Sequence, residues 1–136
     1  MAALTAPRNT PAALGTDRSV PLAAGVKAFA GGMAQVDANG YAVPASATAA
    51  NMTIGRFEAT VDNTGGADGA VSGKVRRGIF RYNNSANADL ITKASIEKPC
   101  YVVDDQTVAL TSNSNARPVA GTIFDVDAQG VWVEFK

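Results

Sequence analysis

The residues that could do chemistry are few in this chain. There is no histidine and one cysteine, Cys100. The usual Ser/His and Cys/His nucleophilic arrangements are therefore absent, and a lone cysteine cannot form an intrachain disulfide. Cys100 is expected to be a buried small apolar residue in a strand. Asp104-Asp105 has the composition of a general acid/base pair or a magnesium ligand set, but strand neighbours point to opposite faces. Aspartate in a hairpin turn is the simpler reading. Asp125-Val126-Asp127-Ala128-Gln129-Gly130 begins like a calcium loop. It departs at the fifth position, Gln129, and at the twelfth, Lys136, where a bidentate glutamate is needed. Gly65-Gly66-Ala67-Asp68-Gly69 lacks the Lys-Ser/Thr pair of a phosphate cradle and precedes a strand pattern. No catalytic, metal or cofactor site is expected.

Lys74, Arg76, Arg77 and Arg81 form the one basic cluster. On a regular strand Lys74 and Arg76 share one face and Arg77 and Arg81 the other. A split cluster without interleaved stacking aromatics is not a nucleic-acid stripe. Its expected roles are a solvated face or, at Arg76 and Arg77, pairing with acidic groups of a protein partner. Trp132, the sole tryptophan, is expected in the core or at a subunit interface.

The elements around these residues read as β structure. Cys100-Tyr101-Val102-Val103, the turn at Asp104-Asp105-Gln106, and Thr107-Val108-Ala109-Leu110 form a hairpin pattern. Val26–Val36 reads as strand interrupted at Gly31-Gly32. Met52–Val61 also reads as strand, as does Ala70–Tyr82 with a bend at Gly73 or Gly78, and Val119–Val126 with Val131–Phe135 reads as the last hairpin. A single helical turn is expected before Pro99. Asp37-Ala38-Asn39-Gly40 and Asp127-Ala128-Gln129-Gly130 share one turn chemistry: the aspartate accepts from backbone amides and glycine takes the left-handed position. Both are expected to be hairpin tips. Seven or eight short strands give an all-β fold, a small β-sandwich or partly open barrel.

Residues 1–25 break this pattern. Pro7, Pro11 and Pro21 interrupt any period, so residues 1–25 are expected to be an extended N-terminal arm and residues 26–136 a single β domain. At 136 residues, the chain can bury roughly 68% of its unfolded surface. Twelve basic residues balance twelve acidic ones, so no long-range field steers the chain to nucleic acid or an anionic membrane. No apolar run reaches the ~20 residues of a membrane helix. The start carries no signal-peptide pattern, so synthesis in the cytoplasm is expected.

Four stretches carry a family likeness: Asp62-Asn63-Thr64-Gly65-Gly66, Val75-Arg76-Arg77-Gly78-Ile79-Phe80, the Cys100-to-Val108 segment, and Val126-Asp127-Ala128-Gln129-Gly130-Val131-Trp132-Val133. In these the chain, from about Gly55 to its end, resembles head decoration proteins of tailed bacteriophages, also called capsid cement or minor capsid proteins. The resemblance implies a non-enzymatic virion protein on the outer capsid surface. It implies binding to the major capsid protein, a homotrimer, and an N-terminal arm reaching neighbouring capsid subunits. On that basis the expected partner interface comprises Arg8, Arg18, Val20 and Pro21 of the arm, with Arg76, Arg77 and Trp132. A tail or baseplate β-protein and a carbohydrate- or protein-binding module are the alternatives.

Overall fold

A computed structural model describes residues 2–136; Met1, the first residue of the expected arm, lies outside the described residues. The protein is all-β, with antiparallel strand pairing throughout its sheets and no closure into a barrel. One five-stranded sheet has the order β1-β7-β5-β3-β4, the other β10-β9-β11-β12-β8, and β2-β6 is a separate ribbon. The first sheet comprises β1 (Asp17–Pro21), β3 (Met33–Val36), β4 (Ala42–Pro44), β5 (Met52–Phe57) and β7 (Ser72–Arg76). The second comprises β8 (Gly78–Tyr82), β9 (Pro99–Asp104), β10 (Thr107–Ala109), β11 (Val119–Asp127) and β12 (Gly130–Phe135). The ribbon is β2 (Lys27–Ala28) with β6 (Val61–Asp62). About twelve strands stand where seven or eight were expected, because glycines and bulges cut the longer apolar runs into pieces.

Gly78 is where one sheet passes to the other. β7 ends at Arg76 in the first sheet and β8 begins two residues later in the second. The expected bend in Ala70–Tyr82 is thus a change of sheet. Both aspartate turns are hairpin tips. The Asp37 carboxylate accepts from the Asn39 and Tyr41 amides, with Gly40 at φ +85°. The Asp127 carboxylate accepts from the Gln129 and Gly130 amides. The turn before Pro99 is present as a single 3-10 turn, Lys93–Ser95, and a second turn spans Asn87–Asp89.

In β11 the simple alternation of a strand is absent. Ala120, Ile123 and Val126 are the buried residues, three apart rather than two. Bulges at Val119/Gly121 and Ile123/Asp125 each add a residue opposite a regular partner. The second bulge pushes Phe124 outward, where it is half exposed.

The arm boundary requires a correction. Residues 17–22 are not arm: β1 pairs with β7 from Asp17↔Arg76 to Pro21↔Ser72, and Leu22 is fully buried. The Thr16 carbonyl accepts from the Arg77 amide and the Leu22 amide donates to Val71. The bonded positions of this ladder are therefore the even-numbered residues of β1. Pro21 falls on an odd position, so its missing N–H would have faced the open edge. Proline is tolerated at such an edge site, which is why a proline-bearing segment could still become a strand.

Each sheet has its own apolar cluster. Val20, Leu22, Ala28, Ala34, Ala42, Phe57 and Val75 fill the first. The second is larger and richer in branched side chains, with Val102, Val108, Ile123, Val126, Val131, Val133 and Phe135, and it takes in Met33 from the first sheet. Two polar ties hold the sheets together beside Met33. The Met33 amide donates to the Asp105 carbonyl at 2.8 Å, and the Tyr82 hydroxyl to the Gly31 carbonyl at 2.8 Å. Burial raises the Tyr82 pKa, which favours the neutral hydroxyl that donates here.

Candidate interaction surface

Residues 2–14 form no strand, and every one of them is exposed. Leu4 and Leu14 stand 73% and 98% exposed, so the segment carries two large apolar side chains with no cover from its own body. Arg8 lies in this stretch and is exposed.

The root of the segment is fixed. The Arg77 amide bonds the Thr16 carbonyl and its guanidinium Nε donates to the Gly15 carbonyl, both at 2.8 Å. Gly15 sits at φ +81°, and a Cβ there would lie 3.2 Å from the Arg77 guanidinium. The residue type and the clamp thus require each other. Arg77 stands on the link between the two sheets, so the arm leaves the body at the sheet crossover. Within the chain, Arg77 seats the arm.

Arg76 belongs to a separate network. It reaches Asp17 at 2.9 Å and Glu58 at 3.1 Å; Glu58 also holds Arg56 at 2.8 Å, and Lys74 reaches Asp17 at 3.3 Å. The network spans β1, β7 and the end of β5. The hydrogen bond from Arg76, followed by that from Lys74, holds the Asp17 carboxyl below its usual range. Exposed pairs of this kind contribute little energy each; their effect is to set the side-chain geometry of the open sheet edge. Arg76 therefore faces its own carboxylates rather than standing free.

The remaining predicted interface residues separate. Arg18 is exposed and makes no ion pair among the described residues. Val20 is a core residue of the first sheet and is unavailable to a partner, because its strand position faces Phe57 and Val75. Pro21 is half-buried at the end of β1. Trp132 lies on the second sheet, half-buried. Its Nε1 donates to the Asp127 carboxylate at 2.9 Å, and the Arg81 guanidinium lies 5.5 Å from its ring centroid. That tryptophan bond, ahead of the Gln129 amide, lowers the Asp127 pKa.

Sequence reasoning missed three features. Asn63, in a glycine-rich stretch between strands, is buried and donates to the carbonyls of Ala23 at 2.8 Å and Ala67 at 3.0 Å. The Asp62-Asn63-Thr64-Gly65-Gly66 loop is therefore a knot, and the Asn-Thr-Gly-Gly composition was the available signal. The Gly15–Arg77 clamp left no local signal. Phe29, 57% exposed beside the sheet junction, was hidden in a run of alanine and glycine.

The acidic pairs do not converge on a catalytic or metal centre. The Asp104 carboxylate caps the Gln106 amide, and Asp125 binds Lys93 and the Val126 amide. Among the described residues no group of three or more metal-ligating side chains comes together. Cys100 is buried, with its Sγ 3.6 Å from the Gly121 carbonyl, and burial pushes the thiol up to about 12. It is a packing residue, not a nucleophile. Among the described residues no helix is long and apolar enough to cross a membrane. A scan against protein-family models and searches of curated proteins and of solved structures return no match to this chain.

Proposed function

We propose that this chain is a head decoration protein of a tailed bacteriophage. In this reading it is a non-enzymatic virion component, made in the host cytoplasm, that binds the major capsid protein on the outside of the head and clamps neighbouring subunits as a homotrimer. One observation carries the proposal: an exposed segment, residues 2–14, bearing Leu4 and Leu14, issues from a body that holds its root rigidly through Arg77. Uncovered leucines on a segment without its own pairing suit a surface that covers them on docking, where ordering and burial occur together. A fixed root limits the directions the segment can sample, which lowers the entropy lost on docking. Many copies on one lattice then add modest contacts into firm attachment. Arg8 and Arg18, both exposed, supply the charge that meets the shell.

The test is co-sedimentation with expanded, undecorated phage heads, comparing the full chain with one lacking residues 1–14. That cut leaves β1 intact. The full chain should bind saturably and raise the temperature at which heads rupture, and the shortened chain should bind at least ~10-fold more weakly. Equal binding by the two chains removes the arm from the mechanism. No binding by the folded full chain overturns the decoration reading.

A further inference from the structure

We propose that the crease between the two sheets is a binding site for a neutral saccharide. A cavity of about 560 Å³ opens there, lined by Phe29, Gly31, Gly32, Arg81, Tyr82 and Asn83, together with Asp105 and Gln106. Three separate segments build it: the loop between β2 and β3, the end of β8, and the turn between β9 and β10. The Met33–Asp105 and Tyr82–Gly31 hydrogen bonds described above hold those segments in place, so the site is preformed.

The lining has the groups a sugar ring needs. Phe29 offers an exposed ring, with Lys27 Nζ 5.2 Å from its centroid. An aromatic face packs against the C–H face of a pyranose as it does against other apolar groups. Asn83, Asp105 and Gln106 line the same cavity. The Asn83 amide donates to the Gln106 carbonyl at 2.8 Å and the Gln106 amide to the Asp104 carboxylate, but the side chains of the three make no hydrogen bond among the described residues. Together they present amide donors, amide acceptors and a carboxylate, the set that satisfies vicinal hydroxyls. The floor is Gly31-Gly32. A Cβ at Gly32 would stand 3.5 Å from the Asp105 carboxylate and 3.3 Å from the Phe29 carbonyl, filling the space a ligand would use.

Charge selects a neutral ligand. Arg56, in the adjoining hollow with Phe80 and Trp132, is neutralised by Glu58 at 2.8 Å. Lys27, against the Phe29 ring, stands across the β2–β6 ribbon from Asp62, its register partner. That leaves Arg81 against Asp105. Arg81 is itself held by the Gln129 side chain at 2.6 Å and by the Trp132 ring. With one cation balanced by one carboxylate, the crease has no excess positive charge for a phosphate or a nucleic-acid backbone. Burial, with Asp104 adjacent, raises the Asp105 pKa, consistent with a carboxylate that has no cation of its own in contact. The inference stands apart from the decoration reading, since neither the arm nor the capsid enters it.

The test is titration of the isotope-labelled full chain, followed by amide NMR, with glucose, galactose, mannose, N-acetylglucosamine and their disaccharides, and with inorganic phosphate as the charged comparison. At least one saccharide should give saturable shifts at Gly31, Gly32, Asn83 and Gln106. Phe29→Ala should weaken that binding by roughly tenfold, while Met52→Ala, an exposed change outside the crease, should leave it unaltered. Phe29 is exposed, so its replacement leaves the fold intact, as the unchanged remainder of the spectrum would show; Asn83→Ala offers a second, independent loss. The proposal is overturned by the absence of saturable shifts for every sugar, by saturable binding of phosphate alone, or by sugar binding that survives both crease substitutions.

Discussion

The two five-stranded sheets are built on different principles. The second draws its core from valine, isoleucine and phenylalanine spread over β8, β9, β11 and β12. The first has three alanines among the residues of its cluster and one large ring, Phe57. It supplements that thin core with polar devices: the Asn63 knot, the Asp17–Lys74–Arg76–Glu58–Arg56 network and the Arg77 clamp. A sheet with a small core can be edited at its edge without exposing much apolar surface. The exposed segment 2–14 leaves the body at the edge strand of the first sheet. On this view the first sheet should open at lower free energy, and its β1 and β7 amides should exchange before those of β11 and β12.

The contrast is most open to challenge at Phe57. Phe57→Ala removes the one large ring of the first core, and a loss of ~3–5 kcal/mol is expected in urea unfolding. If amide exchange in the second sheet accelerates equally, the sheets are one cooperative unit and the comparison fails. Asn63→Ala comes next. It leaves the Ala23 carbonyl without its donor, while the Ala67 carbonyl keeps the Ala70 amide, and a loss of ~1–3 kcal/mol is expected from the same measurement. Ile123→Val in the second sheet should lose only ~0.5–1.5 kcal/mol, since its neighbours share the burial; a larger effect would make the second core as concentrated as the first.

The smallest effect is at the sheet edge. The Asp17 pKa is depressed when folded, by Arg76 first and then Lys74. Its contribution is thus present above the unfolded carboxylate value of about 3.9 and is lost as pH falls through the lower folded value. Asp17→Asn should lower the melting temperature slightly at neutral pH and leave it nearly unchanged at the acid end, so that the acid limb of the profile flattens. An unaltered acid limb would show that the network sets geometry alone.

Some of this was legible without coordinates. Asp37-Ala38-Asn39-Gly40 and Asp127-Ala128-Gln129-Gly130 declare hairpins because an aspartate cap and a glycine act within four residues. The strand character of Cys100–Asp104 and Val131–Phe135 lies in their own β-branched and aromatic side chains. The burial of Cys100 follows from its apolar neighbours. The absence of histidine removed whole classes of chemistry before any fold was known.

What the tertiary structure alone decided lies in contacts between distant residues. Whether Asp17–Pro21 is arm or strand depended on the free backbone edge of β7, more than fifty residues away in sequence. The fate of Arg76 and Arg77 depended on Asp17 and Gly15 arriving beside them. The crease exists only because Gly31, Asn83 and Asp105 are brought to one place by two sheets that meet there. Local propensity acts over a few bonds, and in this protein it determined the turns and the strands. Pairing across an edge and the meeting of two sheets are settled by which surfaces remain unsatisfied once those strands exist, and no single stretch of the chain carries that information.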